Sequence, residues 1–116
     1  MKELLSTQRA DGGWSDIASM NSTAYATGEA MVALHEAGLP VTDAAYQRGV
    51  KYLLSTQLED GSWYIKTHSQ AVQPYFDVGF PHGVDQWISA CGTSWATMAL
   101  ALAAPESHPL TAQMVR

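Results

Sequence analysis

The sequence is short of cysteine, of positive charge and of long apolar runs. A single cysteine, Cys91, excludes an intramolecular disulfide and a tetrahedral thiolate zinc site within one chain, and so leaves the redox compartment open. Six Lys and Arg against eleven Asp and Glu give a formal net charge of -5, which argues against nucleic acid as a partner, because phosphate binding needs clustered cations. The acidic residues are scattered singly apart from Glu59-Asp60, so there is no acidic tail and the charge reads as ordinary solubility. No stretch approaches the roughly 18 apolar residues of a membrane span, and Met1 to Leu5 offers no apolar signal region before Ser6. Alternating apolar runs bounded by hairpin turns are also missing, which removes the main signature of strands. At 116 residues, 47% hydrophobic, the chain holds one domain with one core, and a two-domain enzyme with a cleft between its halves is excluded.

What the sequence does contain is an internal repeat. Leu4 to Trp14 recurs as Leu53 to Trp63, with eight of eleven positions identical at an offset of 49. Farther on, Thr23-Ala24-Tyr25-Ala26-Thr27 resembles Thr93-Ser94-Trp95-Ala96-Thr97 at an offset of 70, which gives the second copy 21 extra residues. Each copy reads as a helix, a Gly-rich turn and a second helix. Between Thr42 and Gln57 the apolar residues Tyr46, Val50, Leu53 and Leu54 fall on one helical stripe, with Arg48, Lys51 and Ser55 facing away. The stretch from Ser22 to Ala37 predicts a helix with Asn21 or Ser22 as N-cap and a stop at Gly38-Leu39-Pro40. Its small residues allow close approach of a neighbouring helix, and Gly92 to Ala104 repeats them. At the turns, Asp-Gly predicts a positive φ at Gly12 and Gly61, and Trp14 and Trp63 each supply a flat face and one N–H donor.

The segment from Arg48 to Trp63 resembles the Gln-Trp repeat of squalene-hopene cyclases, oxidosqualene cyclases and prenyltransferase β-subunit-like proteins. Arg48, Gly49, Tyr52, Leu53, Gln57, Gly61 and Trp63 carry the likeness, and the first copy keeps Leu4, Gln8, Gly12 and Trp14. The resemblance covers about two thirds of the chain. It implies an all-α fold, a partial α/α toroid of about two helical hairpins with a long ordered loop in the second. It also implies a structural role for Gln8, Gly12, Trp14, Gln57, Gly61 and Trp63, the Gln amide bonding at the start of a neighbouring helix and the Trp stacking on it. The domain is expected over residues 1–105, with a first repeat of about 1–38, a second of about 42–105 and a tail over 106–116. A whole toroid of this kind needs about a dozen helices at roughly 20 to 25 residues each. An arc of four must expose apolar edges, so a homo-oligomer or membership of a larger toroid is expected.

Chemistry is thinner. The Asp-x-Asp-Asp acid motif of the family's triterpene cyclases is missing, and so is the Asp-x-Cys pair of its zinc prenyltransferases, since Ser89 stands two positions before Cys91. No catalytic residue, metal or cofactor is assigned; an enzyme of this kind would be terpene-cyclase-like and part of a larger chain. The enlarged second repeat holds a cluster of different character: Tyr75, Phe76, Phe80 and Trp87 as candidate walls of an apolar pocket, with His82 and Asp85 as polar groups. The competing reading is that this loop caps one end of the core. His82 with Asp85 or His68 lacks a metal-ligand spacing signature, and Cys91 reads as a small buried hydrophobe. His35 suits the negative end of its helix, and the tail from Pro105 has little periodicity. A hydrophobic small molecule is the expected ligand, and a non-catalytic interaction or scaffold module is the alternative.

Overall fold

The computed structural model describes residues 2–15, 21–65, 80–82 and 85–104, apart from the side chains of Gln86 and Trp87. Among the described residues four helices follow in order: α1 (Lys2–Ser6), α2 (Ala24–Glu36), α3 (Ala44–Thr56) and α4 (Gln86–Ala103). Among the described residues there is no strand, and the one extended pairing is an isolated antiparallel bridge between Trp14 and Thr23. The fold is all-α, an arc of helical hairpins belonging to a partial toroid. No helix among the described residues is long and apolar enough to cross a membrane.

Local chemistry sets the helix ends. Thr23, rather than Asn21 or Ser22, caps α2, its Oγ1 accepting the Ala26 N–H at 3.0 Å. Ser22 is occupied elsewhere, donating to Asp11 Oδ1 at 3.0 Å. At the other end Gly38 N–H bonds His35 O and Leu39 N–H bonds Leu34 O, while Leu39 is buried in the same core as Leu34. Asp43 caps α3 by accepting the Ala45 N–H at 2.8 Å. Helix α4 starts at Gln86, six residues ahead of the small-residue stretch from Gly92, with Asp85 at its N-cap and no side-chain cap bond.

Packing follows the stripe on α3 with one correction. Tyr46 and Leu53 are fully buried and Val50 half-buried, but Leu54 is 58% exposed. Eight residues on from Tyr46, at 3.6 residues per turn, the chain has rotated past the edge of the apolar face. Met31, Leu34, Tyr46, Leu53, Trp14 and Trp63 form the centre of the core, each aliphatic member contributing about 1.5 to 3 kcal/mol by burial. Tyr46 Oη donates to Ala99 O at 2.7 Å, tying α3 to α4, and burial raises its phenol above the ordinary value.

Helices α2 and α4 lie against each other with very little between them. A Cβ at Gly28 would stand 2.5 Å from the Trp95 carbonyl carbon and 2.7 Å from the Ala96 nitrogen. Main chain cannot yield as a flexible side-chain tip does, so the contact requires hydrogen at this position. Gly49 on α3 also faces a close neighbour, the Met31 side chain, whose Sδ an added Cβ would meet at 2.6 Å.

Two stability measurements check this packing. Trp63→Ala, at 2% exposure, is expected to lower denaturant-measured stability by about 3 to 5 kcal/mol. Gly28→Ala is expected to lose about 1 to 3 kcal/mol by overpacking, and a neutral result would contradict the close approach of α2 and α4.

Candidate functional site

The two Gly-rich corners share one set of bonds. In the first, Trp14 Nε1 donates to Leu4 O at 2.9 Å; in the second, Trp63 Nε1 donates to Leu53 O at the same distance. Both acceptors are carbonyls in the last turn of a helix, where Leu4 O also accepts from Thr7 N–H at 3.2 Å and Thr7 Oγ1 at 3.0 Å, and Leu53 O from Thr56 Oγ1 at 3.3 Å. Gln8 Nε2 donates to Gly12 O and Gln57 Nε2 to Gly61 O, each at 2.9 Å, pinching the loop shut. Gly12 and Gly61 have φ of 90° and 89°, a backbone region costly for any residue with a Cβ. At Gly12 an added Cβ would also run into the carbonyl of Arg48. Asp11 and Asp60 each accept the N–H two residues on at 2.9 Å.

Gln8 does more than Gln57. Its Nε2 also donates to Ala45 O at 2.8 Å in the first turn of α3, and its Oε1 accepts from Arg48 Nη2 at 2.7 Å. Among the described residues Gln57 makes only its bond to Gly61. The first corner therefore grips the next outer helix, whereas Gln57 and its neighbours Leu54 and Leu58 face solvent.

The inner helices correct the alignment made from sequence. Trp14 N–H donates to Thr27 Oγ1 at 2.8 Å, and Trp63 N–H donates to Thr93 Oγ1 at 3.0 Å. Thr93 is thus the counterpart of Thr27, not of Thr23: the offset is 66, one helical turn less than 70, and the insertion is shorter by four residues. Successive turns of an Ala-rich helix look alike in sequence, and only the hydrogen bond separates them.

The second corner differs from the first in a cluster of polar groups. Ser62 stands where the first copy has Gly13. Its hydroxyl donates to Asp60 Oδ1 at 2.6 Å and lies 3.0 Å from His82 Nε2. A hydroxyl has one proton, so with that proton on Asp60 the imidazole must be the donor toward Ser62. The arrangement therefore orients His82 and does not activate Ser62, which is the reverse of a nucleophile and its base. His82 adopts φ 89°, a strained value for a side-chain-bearing residue, and is held by Ser62, by edge-on contact with Tyr64 at 5.2 Å and by Asp85 N–H donating to its carbonyl at 2.9 Å. Tyr64 Oη donates to Asp85 Oδ2 at 2.6 Å, a bond that, with burial and the Asp85 charge, raises the phenol above its ordinary value. Asp60 is held below the usual carboxylate range by the Ser62 hydroxyl, then by the Ser62 amide, with the His82 charge adding to both.

Of the residues expected to line a pocket, the structure brings Phe80 and His82 within 6.4 Å at a 60° tilt. Asp85 meets Tyr64 beside them. Tyr75, Phe76 and His68, the side chain of Trp87 and the tail from Pro105 lie outside the described residues. Among the described residues no group of three His, Cys, Asp or Glu is placed to hold a metal. Ser62 and Tyr64 were not anticipated from sequence; the one signal available was the departure of Ser62 from Gly13 in an otherwise matching corner. Cys91, expected to be buried, is exposed. A separate cleft of about 410 Å³ opens between α1 and α2, lined by Leu4, Trp14, Ala26, Glu29, Ala30 and Ala33 among others.

The depressed Asp60 fixes the sign of a pH effect. A carboxyl whose folded value lies below its unfolded one adds stability above the unfolded value, and that stability is lost as pH falls through the folded value. Thermal melts from neutral to acid pH are expected to show a shallower acid-side decline for Asp60→Asn than for the wild type. An unchanged acid limb would mean that the corner does not depend on the ionised carboxylate.

The profile of the squalene-hopene cyclase C-terminal domain matches residues 1–115, beyond the two thirds over which the motif likeness was legible. A probable squalene-hopene cyclase of Sinorhizobium fredii is 31% identical over 110 residues, which cover 94% of this chain. The chain spans 16% of the length of that curated relative. No solved structure matches it. With paired Gln-Trp corners on an all-α arc and a family profile matched along almost its whole length, the chain belongs to the squalene-hopene cyclase C-terminal domain family.

Proposed function

We propose that this chain is a cyclase-like repeat domain that receives a hydrophobic, isoprenoid-like chain beside its second corner and does not itself carry a complete catalytic site. The observation that carries the reading is the wall of Tyr64, Phe80 and His82, built on the second corner alone, where the repeat is enlarged. Apolar sites of this kind use a few fixed polar groups for orientation, and here the Ser62–His82 and Tyr64–Asp85 bonds supply them. The ligand class follows from the family and from the name of the relative, a probable squalene-hopene cyclase. Tyr75, Phe76 and the side chain of Trp87, expected from the sequence to line the same pocket, lie outside the described residues.

The same bonds argue against a cyclisation acid at this corner. Protonating an alkene takes a carboxyl that still holds its proton in an apolar cavity, as in the family's Asp-x-Asp-Asp motif. Asp60 accepts from Ser62 and is driven toward ionisation, and Asp85 accepts from Tyr64. Both act as acceptors. On this reading any cyclisation chemistry belongs to other residues of a larger ring, and this part contributes shape and orientation.

The second reading, a non-catalytic interaction module on the same repeat, draws on the exposed Leu54, Leu58, Met98 and Leu102. Titration of a fluorescent isoprenoid analogue separates the two. The expected result is saturable binding, weakened about tenfold or more by His82→Ala and by Trp87→Ala, each equivalent to at least ~1.4 kcal/mol. No binding by the wild type, or binding indifferent to both substitutions, would remove the pocket and leave the module.

A further inference from the structure

The protons of the second corner decide what its polar groups can offer a ligand. Ser62 has one hydroxyl proton, donated to Asp60 Oδ1 at 2.6 Å. Tyr64 has one phenol proton, donated to Asp85 Oδ2 at 2.6 Å. With the Ser62 proton committed, the 3.0 Å contact to His82 Nε2 is made by the proton of the imidazole. A neutral ring has no other N–H, so Nδ1 keeps a bare lone pair. Among the described residues Nδ1 has no hydrogen-bond partner, and it is not sealed in the interior. The two nitrogens of an imidazole face nearly opposite ways, so this lone pair points away from Ser62. Every side-chain proton of the cluster is therefore used inside it, and lone pairs are left to face a ligand, on His82 Nδ1 and on the oxygen of the exposed Tyr64.

The backbone at His82 leads to the same place. Its φ of 89° lies where glycine is at no disadvantage and a side chain is strained. The tether to Ser62 uses Nε2 alone. In the first corner a plain serine does the equivalent work, the Ser22 hydroxyl donating straight to Asp11 at 3.0 Å. An imidazole held in a glycine-like conformation thus has a second nitrogen that the fold does not use.

The geometry points to an isoprenoid alcohol as the ligand of the second corner, its hydroxyl donating to His82 Nδ1 while its chain lies along Tyr64 and Phe80. This rests on the reading of the corner as a site for an isoprenoid-like chain and adds the head group. A hydroxyl is the smallest head that brings the missing proton; a ketone, an ether or a plain hydrocarbon has none to give. A diphosphate meets a further obstacle. Among the described residues the charged groups bonded into the cluster are the carboxylates of Asp60 and Asp85, whereas an anionic head needs cations. Ser62 is a positioning residue: by giving its proton to Asp60 it holds the ring proton on Nε2 and keeps Nδ1 an acceptor.

Two measurements at about pH 8, chosen to keep imidazole neutral, test this. Nitrogen NMR of the ligand-free, histidine-labelled protein is expected to show the His82 proton on Nε2 and a bare Nδ1. In Ser62→Gly, which copies the glycine of the first corner, the two tautomers are expected to mix. A proton on Nδ1 in the wild type would overturn the proposal before any ligand is added. Geranylgeraniol and its methyl ether are then competed against a fluorescent isoprenoid analogue. The alcohol is expected to bind about five- to tenfold more tightly than the ether and to shift the Nδ1 resonance. His82→Gln keeps a donor for Ser62 and has no acceptor where Nδ1 stood, so the preference is expected to vanish while the ether binds as before. Should that variant fail to fold, the Nδ1 shift in the wild type decides. Equal binding of alcohol and ether, or a preference that survives His82→Gln, overturns the alcohol and leaves the isoprenoid site standing. If the fluorescent analogue does not bind at all, both readings fall.

Discussion

The arc depends on an indole N–H donated to a carbonyl in the last turn of an outer helix. Local bonds to that carbonyl, from Thr7 N–H at 3.2 Å and Thr7 Oγ1 at 3.0 Å to Leu4 O and from Thr56 Oγ1 at 3.3 Å to Leu53 O, come from its own turn, so joining the helix to the corner needs a donor from farther along the chain. Trp14 and Trp63 answer this need while their rings, 3% and 2% exposed, fill the space between successive elements. One residue thus closes the outer helix, and its own N–H is bonded by the threonine hydroxyl of the following inner helix. The remaining corner contacts, from the Gln amide and the Asp carboxylate, hold the backbone in the left-handed turn that aims the indole. Each copy has the whole set, which is why a short chain with a modest core folds as two like units.

This explains which features were legible beforehand. A corner spanning eleven residues with a glycine in the left-handed region and a tryptophan at fixed distance writes itself into the sequence, because positive φ favours glycine and the indole N–H must reach a fixed carbonyl. The helices it joins were also readable from periodicity and capping chemistry. Their ends were less so: Ser22 and Thr23 are both competent caps, and the choice was made by Asp11, which takes the Ser22 hydroxyl from outside the helix. Leu54 and Cys91 were misjudged for a shared reason. Apolar side chains were assigned to the interior of a unit, whereas in a repeat part of the apolar surface belongs to the next unit.

The polar cluster at the second corner was half visible for a different reason. In the first copy Gly13 leaves room for Ser22, the hydroxyl just ahead of the α2 cap, to reach Asp11 directly; an added Cβ at Gly13 would stand 2.9 Å from Ser22 Cβ. In the second copy Ser62 occupies that room, and the contact with the lead-in to α4 is completed by His82 through the Ser62 hydroxyl. Both tethers do one structural job, fastening the start of an inner helix to the corner aspartate. Lengthening the tether by one group places an imidazole and a phenol where the first copy has neither. A site arises here from a small departure in a repeated scaffold, and such a departure becomes informative only once its counterpart is known.

The two edges of the arc show how far the repeat has been allowed to diverge. At the internal contact the facing positions are Gly28 and the Trp95–Ala96 main chain; one repeat away their counterparts are Ser94 and Glu29, both exposed. Both changes fall at the centre of the surface and act in the same direction. Ser94 keeps a neighbouring backbone at a distance, and Glu29 puts a charge where the internal contact has an aromatic ring, a group that resists leaving water unless it is paired. The surrounding positions, Ala26, Ala30, Met98 and Leu102, remain small or apolar. Two side chains thus separate the packed α2–α4 contact from its counterparts in the neighbouring repeat.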